Sequence, residues 1–187
     1  MLLTDLVVAI KHLPTLPLVF GTYPNIILRN GEMNISSYNS PLECIKSLVN
    51  SVIGTTGSVI DLDNDDQITT FFLNGICTDE RVWAINAIEL EAIFDLNVSP
   101  LYNRTNGIFI DLKDCIFERT FDIEDAESKQ LYLTLKNTLE VKEKVIVIAH
   151  SQGGIIISQL IEHLLFEDNK NLHKLEVYTF ASAAQII

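Results

Sequence analysis

The chain has 187 residues, of which 48% are hydrophobic and 20% are charged. This balance is typical of a folded globular domain with a sizeable core, and it excludes a disordered chain. The 25 acidic and 13 basic residues give a formal net charge of −12, which argues against a nucleic-acid-binding surface and against electrostatic attraction to anionic lipid. Peripheral contact with a membrane through apolar residues stays open.

The cysteines and the N-terminal residues indicate the cellular compartment in which the protein is expected. Cys44, Cys77 and Cys115 have neither metal-ligand nor disulfide-framework spacing, so a reducing compartment is the simpler interpretation. Residues 1–13 are apolar, but charged residues interrupt them, and they do not resemble a signal peptide. No segment reaches the ~18 uninterrupted apolar residues of a membrane-spanning helix. We therefore expect a cytoplasmic or other intracellular protein.

Residues 1–67 are predicted to form an N-terminal extension of helical and irregular structure. Apolar residues at helical spacing predict an amphipathic helix over 1–13, which we expect to pack on the domain because its polar face is not basic. A second helix is predicted over 42–53. The acidic run 61–66 lacks the ligand spacing of a calcium loop, so a solvated loop is favoured and no metal site is predicted.

Residues 68–187 are predicted to form the core domain. Apolar segments predict strands, and the segments between them carry apolar residues at helical spacing. The predicted strands are 69–73, 98–102, 145–149 and 175–181, and the predicted helices are 79–96, 108–118, 123–141 and 155–164. This alternation predicts an α/β fold with a mostly parallel sheet of about four strands flanked by helices.

Two single residues refine this prediction. Thr78 is the predicted N-cap of the helix over 79–96, because a hydroxyl can accept a hydrogen bond from a first-turn amide. Pro100 has no N–H for a central ladder, so its strand is predicted at an edge of the sheet.

The most informative stretch is 145–154, VIVIAHSQGG, in which an apolar strand runs directly into Ala-His-Ser-Gln-Gly-Gly. It is typical of a nucleophile elbow, a strand–turn–helix device that presents a serine in a strained backbone conformation. Ser151 is the candidate nucleophile. Ala149 and Gly153 must be small because the turn is expected to bring them together, and Gly154 is expected to let the next helix pack close to the strand.

A serine hydroxyl attacks efficiently only if a base takes its proton and donors stabilise the oxyanion. The backbone N–H of Gln152 is one candidate donor. The other should come from the loop after the first predicted strand, which begins Asn74-Gly75. Gly75 would let the backbone approach the substrate oxygen, and the N–H of Ile76 is the first choice of donor, with that of Cys77 as the second.

The segments FFLNGICTD, VIVIAHSQGG and VYTFASAA together resemble the α/β-hydrolases, in particular lipase-like serine esterases of fungi and bacteria. The resemblance covers residues from about 67 to the end, with Ala149 where that family commonly has glycine. It implies a partial α/β-hydrolase fold with strand order NVSPLY, TTFFL, VIVIA, LEVYTF. It also implies hydrolysis of ester or related acyl bonds in a lipid-like small molecule, without cofactor or metal.

The resemblance further implies an acid and then a histidine after the serine in chain order. His163 lies twelve residues along the predicted helix, ~18 Å from the serine at the rise of an α-helix. His173 precedes the last predicted strand, at the opposite edge of the sheet. His150 is expected to support the elbow by packing rather than to act as the base. We therefore expect neither triad acid nor triad histidine in this chain, and negligible turnover.

Several alternatives follow from the missing partners. The chain is expected to be C-terminally truncated, which would leave its last strand as an open edge. A partner could cover that edge, and another chain could supply the histidine. A non-catalytic α/β-hydrolase-like binding or scaffold domain is the rival function. An ordinary nucleotide-binding turn is disfavoured because the sequence has neither a G-x-G-x-x-G nor a Walker pattern.

Overall fold

The computed structural model describes residues 38–54, 67–76, 78–104 and 126–182. Its helices are α1 (Pro41–Ile53), α2 (Glu80–Phe94), α3 (Ala126–Val141) and α4 (Gln152–Phe166), and its strands are β1 (Ile68–Leu73), β2 (Val98–Pro100), β3 (Lys144–His150) and β4 (Leu175–Phe180). The helices predicted over 1–13 and 108–118, the acidic run 61–66, Cys77 and Cys115 lie outside the described residues. The division at residue 67 stays a prediction.

The four strands form one sheet in the order β2-β1-β3-β4, and every neighbouring pair is parallel. This confirms the predicted α/β fold class. Pro100 lies in β2 at one edge, where a missing N–H costs no central ladder bond. The strand is shorter than predicted, since the chain has left the ladder at Leu101, although the Leu101 N–H still donates to the Phe72 carbonyl over 3.4 Å.

Helices cover both faces of the central strands. On one face, residues of β1 and β3 such as Phe71 and Val147 pack against α3 and α4 in a fully apolar cluster. On the other face, Phe72 and Ile148 pack against Trp83 of α2. The Trp83 indole N–H also donates to the Phe72 carbonyl over 3.1 Å. Two covered faces explain why β3 is an almost continuous apolar run rather than an alternating one.

Asp79 joins α1 to α2. The N-cap of α2 is Asp79 rather than the predicted Thr78, and its carboxylate accepts from the Val82 N–H over 2.9 Å. The same carboxylate oxygen accepts from the Ser47 hydroxyl of α1 over 2.6 Å. The Thr78 hydroxyl instead donates to the Ile76 carbonyl over 3.2 Å. The prediction was wrong because one buried carboxylate can satisfy both the cap and a second helix.

The second edge of the sheet is β4, which exposes two aromatic side chains together with Glu176 and Thr179. Tyr178 is 53% exposed and Phe180 is 50% exposed. An ion pair between Lys144 and Glu176 (2.9 Å) bridges β3 and β4 at the start of the ladder. Among the helices in the described ranges, none has the length and apolarity to cross a membrane.

Candidate active site

Ser151 forms the junction between β3 and α4 by itself. The strand ends at His150 and the helix begins at Gln152. Ser151 has φ 54° and ψ −117°, a conformation that L-residues rarely adopt and that costs roughly 1–3 kcal/mol. Asp95 also has a positive φ, but its ψ of 48° is that of an ordinary left-handed helix cap. The backbone at Ser151 is therefore strained in a way that an ordinary cap is not.

Hydrogen bonds on both sides hold this strained residue in place. The Ser151 N–H donates to the Phe180 carbonyl over 2.9 Å, which extends the β3–β4 ladder by one step. The Ser151 carbonyl accepts from the Gly154 N–H over 3.0 Å in the first turn of α4. The strand fixes one side of the junction and the helix the other, so the strain cannot relax locally.

The loop after β1 runs directly against the serine. A Cβ atom added at Gly75 would lie 2.8 Å from Ser151 Cβ, 3.1 Å from the His150 carbonyl oxygen and 3.4 Å from Ser151 Oγ. Only glycine fits at this distance. Ile76 follows in the same turn and is half-buried. The structure thus brings the Asn74–Ile76 loop and Ser151 together at the carboxyl edge of the sheet, whereas Cys77 is outside the described residues.

The two glycines after the serine lie against the segments that end the neighbouring strands. A Cβ at Gly153 would lie 2.5 Å from the Leu73 carbonyl oxygen and 2.8 Å from that of Asn74, so the end of β1 demands glycine there. A Cβ at Gly154 would overlap the Ser182 side chain, in the segment after β4. Ala149 is fully buried in β3. The elbow therefore packs against the end of β1 on one side and against the segment after β4 on the other.

A buried amide network lies beside the elbow, and the sequence interpretation missed part of it. Asn74 is hydrogen-bonded to the backbone of Asn103, and the Asn103 side chain donates to the Gln152 side chain over 3.0 Å. Asn103 follows the edge strand β2, where the sequence indicates only a loop. Its position after a strand that neighbours the Asn74 loop was the available signal, since carboxyl ends of parallel strands converge.

The described histidines do not gather around Ser151. His163 lies on α4, where its ring meets that of Tyr132 at a centroid distance of 6.0 Å. His173 lies in the 3-10 turn before β4, with Nδ1 2.7 Å from the Lys170 carbonyl. That turn is at the amino edge of the sheet, as predicted. His150 is the half-buried last residue of β3.

The described residues contain no group of three side chains arranged to hold a metal ion. No protein-family model matches the chain, and no match is found among curated proteins or solved structures. A function for this edge of the sheet must therefore be inferred from its own geometry.

Proposed function

We propose that the chain carries the nucleophile and oxyanion half of a lipase-like serine hydrolase of the α/β-hydrolase type. Its substrates would be ester or related acyl bonds in lipid-like small molecules. The observation that supports this best is the backbone of Ser151, which is strained at φ 54° and ψ −117° in a one-residue strand-to-helix junction. A structural turn has no need of such strain, whereas a nucleophile elbow depends on it to expose the serine.

The proposed chemistry is acyl transfer to Ser151. Its Oγ would form the new bond to the acyl carbon, its proton would pass to solvent, and the alcohol would leave after gaining a proton from water. The Gln152 N–H lies in the first turn of α4, where helix amides have no intrahelical acceptor. This N–H and that of Ile76 would stabilise the developing oxyanion.

We expect the reaction of Ser151 to be slow in this chain. Of the described histidines, His163 and His173 are held away from the carboxyl edge of the sheet. Oxyanion donors and substrate binding alone can retain roughly 10³- to 10⁴-fold acceleration over water. We therefore expect Ser151 to react selectively but slowly with activated electrophiles, and ester turnover to be negligible.

Phosphonylation tests this proposal. A fluorophosphonate would form an Oγ–P bond at Ser151 and release fluoride, and Ser151→Ala should abolish the reaction. Ser158→Ala is the matched control, because Ser158 lies on the same helix and its hydroxyl donates to the Gly154 carbonyl. It should leave the rate unchanged. Without a histidine base, the rate should rise roughly tenfold per pH unit between about pH 7 and 9.

Two outcomes would overturn parts of the proposal. Labelling at the same rate in Ser151→Ala would exclude Ser151 as the nucleophile. Rapid labelling with ester turnover and a plateau near neutral pH would show that a base is present after all.

A non-catalytic binding or scaffold domain is the second candidate function. The placement of His163 and His173 away from Ser151 favours it. It predicts a folded chain in which Ser151 is no more reactive than Ser158, so the same labelling experiment decides between the two.

A further inference from the structure

Three amide side chains from three segments meet beside the elbow. Asn74 follows β1, Asn103 follows β2, and Gln152 begins α4. Asn74 is only 1% exposed and Gln152 only 4% exposed. Buried amides are costly unless their hydrogen bonds are made, so these contacts specify one arrangement of the three segments.

Asn74 clamps the backbone of Asn103 at two points. Its Nδ2 donates to the Asn103 carbonyl over 2.7 Å, and its Oδ1 accepts from the Asn103 N–H over 2.8 Å. The same Nδ2 donates to the Gly75 carbonyl over 3.0 Å. The Asn74 amide therefore orients the peptide between Gly75 and Ile76, whose N–H is the second proposed oxyanion donor.

Asn103 carries the network on to the elbow. Its Nδ2 donates to Gln152 Oε1 over 3.0 Å. Gln152 is the residue whose N–H is the first proposed oxyanion donor. The network therefore holds both proposed donors: it bonds to the side chain of Gln152 and to the carbonyl of Gly75, which precedes the Ile76 N–H.

We infer that Asn74 and Asn103 are positioning residues that fix the separation of the Ile76 and Gln152 oxyanion donors. This inference rests on the proposed function. Backbone ladders already hold β1, β2 and β3 together. The amide network adds a connection between their loops, where displacement of a donor by about 1 Å is enough to reduce a rate by up to a hundredfold.

Asn103→Ala is the cleanest test, since Asn74 bonds to the backbone of Asn103 and that clamp survives the substitution. Only the bond to Gln152 is lost. The test is made on the Ser151→Cys background, because a thiol reacts without an added base. An activated p-nitrophenyl ester acylates the thiol through an oxyanion, whereas iodoacetamide alkylates it without one. Both adducts are quantified on the peptide that contains position 151.

Asn103→Ala should slow acylation at position 151 by roughly tenfold or more and leave alkylation there unchanged. Asn137→Ala, on the exposed side of α3, is the matched control and should change neither rate. Gln152→Met is the second variant if Asn103→Ala fails to fold. It keeps the backbone N–H but removes the side-chain acceptor, and it should also slow acylation selectively. A purely structural role would slow both reactions together or neither.

The two proposals fail in different ways. If the thiol introduced by Ser151→Cys is acylated no faster than one introduced by Ser158→Cys, the proposed function is wrong. If acylation at position 151 is selective but both Asn103→Ala and Gln152→Met leave the ratio of acylation to alkylation unchanged, the positioning role is overturned and the proposed function stands.

Discussion

At the scale of single residues, a strained backbone and close contacts coincide at the elbow. Ser151 holds a backbone conformation that favours glycine, although it is not a glycine. Gly75 and Gly153 lie where any larger residue would meet neighbouring atoms at 2.8 Å or less. A serine in such a position lowers stability, which agrees with the proposed chemical role of Ser151 and not with a role in folding.

Ser151→Gly should relieve this strain. We expect it to be more stable than Ser151→Ala by roughly 1 kcal/mol, because the cost of the strained φ exceeds the extra unfolded-state entropy of glycine. Urea unfolding of the two variants measures the difference. Equal stability, or a more stable alanine variant, would mean that the backbone at position 151 is not strained.

Cys44 provides a pH-dependent prediction. Burial raises the pKa of its thiol above the ordinary value, so the unfolded chain ionises first as the pH rises. The contribution to stability is complete below the unfolded pKa and is lost above about pH 8.5. Wild type should therefore lose more stability than Cys44→Ala between about pH 8 and 10, as measured by denaturant midpoints. Parallel pH profiles for the two proteins would contradict this.

At the scale of elements, the described helices are anchored by a few specific polar contacts as well as by apolar packing. α1 shows this most clearly, because its inward side carries Cys44, Ser47 and Ser51, while Leu42 and Ile45 are exposed. The hydroxyl of Ser47 reaches the N-cap of α2. Such a contact gives Asp79 two roles, as the cap of one helix and as the attachment of another.

Removing the Asp79 carboxylate should therefore lower the free energy of unfolding by more than the loss of a helix cap alone. We expect Asp79→Ala to destabilise the protein by roughly 2–3 kcal/mol, since it loses the cap and leaves the buried Ser47 hydroxyl without its acceptor. Glu80→Ala is the control in the same helical turn and should have little effect, because Glu80 is exposed. Chemical denaturation measures both, and similar losses for the two variants would refute the double role.

The parallel sheet was predictable from the sequence because its signals are local. The run over β3 is apolar on both faces, and Pro100 indicates an edge. The contacts that shape the site are not local. The hydrogen bond from Asn103 to Gln152 has no sequence signature, and neither has the close approach of the Leu73 and Asn74 carbonyls to Gly153. Each of these contacts joins segments far apart in the chain. The use of Asp79 rather than Thr78 as the N-cap of α2 also depends on a distant contact, the hydrogen bond from Ser47.

At the scale of the whole molecule, the strand order determines which loops meet at the candidate site. β1 and β3 are neighbours and parallel, so the loop after one and the turn after the other meet at the same edge. The Asn74–Ile76 loop thereby reaches Ser151, while His173 is left at the opposite edge. The fold thus brings the proposed nucleophile and the two proposed oxyanion donors to one edge, whereas the described His163 and His173 lie elsewhere.

The most direct test of this account is the site of fluorophosphonate attachment after long incubation. Tryptic cleavage at Lys144 and Lys170 releases a peptide that contains both Ser151 and Ser158, and fragmentation separates the two. If Ser151 is the nucleophile, a single adduct is expected, on Ser151. An adduct spread over surface serines, or found on Ser158 in equal amount, would contradict it.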